Sequence, residues 1–146
     1  MTSLGLPPID QIGFVVHSVQ AAGELYAPLY GPFRSYRFPI VGTTYGGRTV
    51  DVDVDVLIGR SGDVAVELIE CTNGVGPHAD FLAAGHEGLH HPRHTIDDWD
   101  AWSDRMRAHG YECTWVTAAG LDHRYGYFER PGDPLRIELF WNQGSP

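Results

Sequence analysis

The 146-residue chain is predicted to be an α+β protein in which one βαβββ unit is used twice, and two internal correspondences predict it. The stretch IDQIGFVVHSVQAA at 9–22 lies over LHHPRHTIDDWDAW at 89–102, an offset of 80 residues. The stretch VAVELI at 64–69 lies over LRIELF at 135–140, an offset of 71. Each member of the first pair reads as a strand running into a capped helix. Each member of the second reads as a strand holding one glutamate in an apolar frame. Identity between the halves is low, so the repeat is one of pattern, supported at both ends of each unit.

The elements follow in order. After the first strand, Ser18 stands at a helix N-cap, and Val19, Ala22, Leu25 and Tyr26 form the apolar stripe behind it. Strands are expected near 36–41, 49–58 and 64–69. In TVDVDVDVLI, Asp51, Asp53 and Asp55 share one strand face and Val52, Val54 and Val56 the other. The valines are expected under the helices, leaving the aspartates to the cavity or to solvent. In the second half Asp98 is the N-cap, Trp99, Trp102 and Met106 line the helix, and Gly110 sits where a C′ glycine belongs. Strands near 111–117, 123–130 and 135–140 complete it. The modules then run roughly 8–72 and 88–142 within a single domain spanning 1–146.

Composition excludes several functions. Hydrophobic residues make up 42% of the chain, enough for one real core. No apolar run approaches a membrane span and no basic-then-apolar leader opens the sequence, so no membrane partner is expected. The net charge of −9 argues against nucleic acid. All ten basic residues are arginines, and without lysine there is neither a Schiff base nor a P-loop. Cys71 and Cys113 form no CxxC pair, which favours a reducing, cytoplasmic setting.

GLHHPRHTIDD at 88–98 raises the question of a histidine cluster that grips metal by itself. His86, His90 and His94 have the spacing of one helix face, but Pro92 breaks that helix and Gly85 and Gly88 weaken it. The repeat selects differently. It places Gln11 and His91 at one equivalent position, and Glu67 and Glu138 at another. Four potential ligands, two per half, are thereby related by a pseudo-twofold. His91 is the only histidine of the tract with a counterpart in the other half.

With these residues in place, the sequence resembles the vicinal oxygen chelate (glyoxalase/bleomycin resistance) superfamily. IDQIGFVVHSVQAA resembles that family's opening strand and helix. The stretch VELIECTNGVGPHADFLAAGHEGLHHPRHTIDD is similar to the middle of methylmalonyl-CoA epimerases, and RPGDPLRIELFW to the family's closing segment. The resemblance implies a cupped, barrel-like mixed sheet with helices outside, wrapped around one divalent metal ion (Zn, Ni, Co or Mn). It implies Gln11, Glu67, His91 and Glu138 as ligands, with Gln11 standing where epimerases place histidine. Eukaryotic-type glyoxalase I uses the same order of Gln, Glu, His and Glu. Extradiol dioxygenases need two histidines and a carboxylate, which this set lacks.

The function so implied is a metal-dependent isomerase, epimerase or lyase that moves a proton next to a carbonyl through a metal-stabilised enediolate or enolate, as in methylmalonyl-CoA epimerase or lactoylglutathione lyase. Glu138 is the first choice of base and Glu67 the second, with an aspartate of 51–55 as a further candidate. The alternative is a non-catalytic antibiotic- or aromatic-binding protein on the same fold. A small-molecule substrate and a homodimer are the expected partners. His17, Asp53, Arg34 and Arg37 are the candidate substrate contacts. An acyl-CoA would want several cations at the mouth, so the acidic balance leaves a neutral, partly aromatic substrate open.

Overall fold

A computed structural model of the chain describes residues 2–144; Met1, Ser145 and Pro146, at the ends of the expected 1–146 domain, lie outside the described residues. Eight strands and three helices alternate along it. They are β1 (Ile9–Val15), α1 (Val19–Tyr30), β2 (Arg34–Tyr45), β3 (Arg48–Ser61), β4 (Val64–Gly74), α2 (Pro77–Ala83), β5 (Gly88–Thr95), α3 (Trp99–Ala108), β6 (Glu112–Val116), β7 (His123–Glu129) and β8 (Ile137–Asn142). The strands close a barrel in the order β1-β4-β3-β2-β6-β7-β8-β5. Each half is βαβββ, as the repeat predicts.

Both helix starts form as the sequence dictates. Ser18 accepts a hydrogen bond from the Ala21 amide and Asp98 from the Ala101 amide, filling donors that a helix N-terminus otherwise leaves open. Gly110 follows α3 at φ +84°, a conformation that costs a glycine little. Val19 and Ala22 of α1 pack with Val16 and Leu68 on the outer face of the sheet. Leu25, expected in that stripe, is instead exposed. Trp102 and Met106 of α3 pack with Phe128, Ile137 and Leu139 on the opposite outer face.

Two expectations are corrected. The valines of β3 do not lie under helices: Val52, Val54 and Val56 join Val15, Ile69, Trp115 and Tyr127 inside the barrel. The aspartates alternating with them therefore face outward, where Asp55 takes Arg37 at 2.9 Å and Asp51 takes the Gly42 amide. The seven-residue helix α2 was not foreseen. It opens on Pro77, whose fixed φ suits a first helical position. It brings His78 into the barrel interior, with Phe81 and Leu82 against the core.

The register fixes the site. β1 runs antiparallel to β5, pairing Gln11 with Arg93 and Gly13 with His91. On their other edges, parallel pairing sets Gly13 beside Glu67 in β4, and Arg93 beside Glu138 in β8. The two-residue alternation of strand side chains then turns all of these positions into the barrel. The pseudo-twofold read from the sequence is thus a physical feature of the central four strands.

Candidate metal centre

Inside the barrel lies a cavity of about 550 Å³, within the usual range for a small-molecule site. Gln11, Glu67, Arg93 and Glu138 form its polar end, and Val54, Val56, Ile69, Trp115 and Phe140 are among its apolar walls. His91 is wholly buried just behind the polar end. Its Nε2 lies 2.7 Å from Glu138 Oε2 and 3.8 Å from Glu67 Oε1. Three of the four side chains that the repeat singled out come together, and the fourth, Gln11, lines the same end.

Gly13 makes that convergence sterically possible. A Cβ at this position would stand 2.2 Å from His91 Cε1 and 2.5 Å from Nε2. The imidazole occupies the space a side chain would take.

His91 itself bears on whether these donors suit a divalent ion. Nε2 has no hydrogen-bond partner despite its 2.7 Å approach to Glu138, because the alignment is wrong for one. On the other side of the ring, Nδ1 is 3.0 Å from Nδ1 of buried His90. One of the two facing Nδ1 atoms donates to the other, and with His91 as the donor its Nε2 would be a bare lone pair within reach of two carboxylates. Such an arrangement is repulsive unless a cation or a proton stands between them. Two donors each ~2.1 Å from one ion are at most ~4.2 Å apart, and both distances satisfy that limit. His91 with either carboxylate is compatible with a shared divalent ion. Among the described residues no group of three or more His, Cys, Asp and Glu side chains is placed to hold a metal ion. The donors are gathered but not closed.

Electrostatics agree. Burial and the neighbouring Glu138 charge push the Glu67 carboxyl up to about 7, against the pull of His91, Arg93 and the Gln11 amide. A buried carboxyl held that high awaits a cation or a proton. Burial also lowers His78 to about 3, and burial and His91 hold His90 far below the ordinary imidazole value. His78 Nε2 is 2.7 Å from the Tyr127 hydroxyl, and burial keeps that phenol protonated.

The remaining candidates lie outside the cup. His17 is exposed beside Glu87. Arg34 is exposed, and Arg37 is spent on Asp55 at the outer face. Asp53 faces away from the cup, near the Asn73 amide. Sequence alternation alone could not tell which face of β3 was inner, because an apolar valine face packs equally well under a helix or inside a barrel. The sequence reading missed three cup or near-cup residues: His90, His78 and Arg93. For Arg93 the signal was available, since it lies two residues after His91 on the same strand face.

The Glyoxalase/Bleomycin resistance protein/Dioxygenase superfamily matches residues 10–128 of the chain. The chain belongs to that superfamily. Among solved structures, this superfamily member is similar to a hypothetical protein from Bacillus halodurans, with a TM-score of 0.67, 15% identity and coverage of 95% of this chain and 96% of that one. It is also similar to methylmalonyl-CoA epimerase from Mycobacterium tuberculosis (TM-score 0.63, 20% identity, 100% of this chain and 93% of that one). A third is a Streptomyces coelicolor methylmalonyl-CoA epimerase variant in complex with 2-nitronate-propionyl-CoA (TM-score 0.58, 21% identity, 97% and 100%). No curated protein matches the sequence significantly. At these identities the structural likeness speaks for the fold. Among the described residues no helix is long and apolar enough to cross a membrane.

Proposed function

We propose that the cup is the active site of a metal-dependent isomerase, epimerase or lyase that moves a proton next to a carbonyl. The observation that carries this reading is His91 Nε2, buried, without a hydrogen bond, and set 2.7 Å from one carboxylate and 3.8 Å from another. Gln11, Glu67, His91 and Glu138 would hold one divalent ion, which when bound supplies Lewis-acid polarisation of substrate oxygen. The likeness to methylmalonyl-CoA epimerases supports an epimerase-like reaction.

The chain's own groups have separable tasks. Glu138 is largely buried and beside the apolar cup, so its carboxylate takes the proton on the carbon next to the carbonyl; Glu67, across the pseudo-twofold, serves the other face. General-base catalysis of this kind is worth roughly 10²–10⁴-fold. His90 orients the His91 ring through Nδ1, the usual task of a group bonded to the far nitrogen of a ligating histidine. The apolar walls exclude water from the abstracted proton.

The test is solvent exchange. Candidate 2-substituted acyl-CoAs, hemithioacetals and hydroxyketones are incubated with protein and metal in D₂O, and deuterium uptake and product are both read by mass. Exchange or turnover should require metal and fall by orders of magnitude in Glu138→Gln. Neither across the panel, with tight binding of an aromatic ligand instead, hands the cup to a binding role.

A further inference from the structure

The two halves of the cup are matched at the donor positions and unequal beside them. Gly13 and Arg93 are equivalent by the pseudo-twofold, Gly13 flanked by His91 and Glu67 and Arg93 by Gln11 and Glu138. The glycine has a steric reason. A large cation at the matching place, next to a site suited to a divalent ion, is electrostatically unfavourable there and calls for one of its own.

Arg93 is held with one edge engaged and one edge open. Asp10 is the unpaired residue where the β1–β5 register shifts between Ile9 and Gln11. Its Oδ1 accepts from Arg93 Nε at 2.6 Å, while Oδ2 accepts from the Thr95 amide at 2.8 Å. The guanidinium lies 4.8 Å from the centre of the Phe140 ring. Nothing among the described residues hydrogen-bonds the two terminal NH₂ groups. A planar guanidinium fixed through Nε, stacked on an aromatic ring and open along its NH₂ edge matches the fork of a carboxylate.

The rest of the lining narrows the ligand. Arg93 is the only arginine that lines the cup among the described residues. The walls around it are aliphatic and aromatic, from Val54, Val56, Ile69, Trp115 and Phe140. One cation in an apolar chamber suits one carboxylate on an apolar body, whereas a polyphosphate tail would need several cations.

We infer that Arg93 binds the carboxylate of the substrate, and that the cup takes a small monocarboxylate with an apolar, aromatic-sized body. The inference rests on reading the cup as the proton-transfer site, and it names the substrate class of that site. The carboxylate on Arg93 sets the reacting carbon beside Glu138, the residue paired with Arg93 across β5 and β8.

The experiment uses chelator-treated full-length protein, so that metal chelation contributes nothing. Trp115 lines the cup, and its fluorescence reports titration with 3-phenylpropanoate or with the neutral 3-phenylpropanamide. Wild type should bind the acid about tenfold to a hundredfold more tightly than the amide, the range of a charge-assisted pair. Arg93→Met should erase the preference while still binding the amide, which shows the cup intact; Arg93→Lys should keep part of it. Equal binding of acid and amide by wild type, an acid preference that survives Arg93→Met, or no binding of either probe overturns the inference. No metal or turnover enters the readout, so its failure leaves the proton-transfer reading to Glu138→Gln, and the converse holds.

Discussion

Gly13 and His91 face each other across β1 and β5, and the imidazole fills the volume that a side chain at residue 13 would occupy, 2.2 Å from a would-be Cβ. Neither residue keeps its place if the other grows.

Gly13→Ala therefore acts on the proposed metal centre without touching a proposed donor. The added methyl would overlap the imidazole, and with His91 wholly buried the strain is relieved only by shifting the ring out of its present alignment with the carboxylates. Metal affinity, read by calorimetry, should fall by about 10–100-fold, the usual scale for losing the orientation of a ligand. Unchanged affinity would place the ion elsewhere in the barrel.

His91→Ala and Glu138→Ala should each cost most of the metal affinity, and His94→Ala little, since His94 bonds the Pro7 carbonyl away from the cup. The sequence alone treats His90 like His94. The hydrogen bond to His91 Nδ1 changes that expectation: His90→Ala should cost about tenfold or more, short of the loss in His91→Ala. Metal content after purification ranks the four variants directly.

Gln11→His should retain or tighten binding, because an imidazole is a stronger donor than an amide for these ions. The substitution has a precedent inside the chain, since His91 is its pseudo-twofold equivalent. Complete loss of metal would remove Gln11 from the donor set.

Acid should destabilise the metal-free protein. An unfolded chain protonates histidine near ~6.5, but His78 stays neutral in the fold down to about 3 and His90 is likewise depressed. Below that unfolded value the unfolded state binds more protons, so each histidine loses stability for the fold as pH drops. Glu67 works the other way: raised from 4.5 to about 7, it takes its proton earlier in the fold and favours it as pH falls through that window. Two groups oppose one. Melting temperature should therefore drop between pH 7 and pH 5, and His78→Gln should flatten the drop. Metal affinity should weaken below about pH 7, where the proton competes for Glu67.

The repeat, both helix caps and the gathering of Gln11, Glu67, His91 and Glu138 at one end of the barrel were legible in the sequence because each rests on local pattern at a fixed offset. Ser18 and Asp98 cap by rules confined to three residues, and Glu67 and Glu138 stand out against apolar neighbours. What stayed hidden depends on closure. The inner face of β3 is decided by which way the barrel curls, so the valines were placed under the helices and the aspartates left open between cavity and solvent. Short α2 carries too little periodicity to announce itself, and with it went His78. Arg34 and Arg37 were expected as substrate contacts, yet the neighbouring Phe38 lines the cup and the arginines do not.

The barrel is sewn unevenly. β1 and β5 join the halves along six paired positions on the donor side, whereas β2 and β6 join them through only two, Thr44 with Val116 and Tyr45 with Trp115. Strand seams open in order of their hydrogen bonds, so the thin seam should breathe first and its amides should exchange fastest among the barrel strands. Opening there parts the wall beside Trp115 while the donor edge stays stitched. Looseness and donor geometry therefore fall on opposite seams of the barrel, and the wall can fluctuate without slackening the edge that holds the carboxylates.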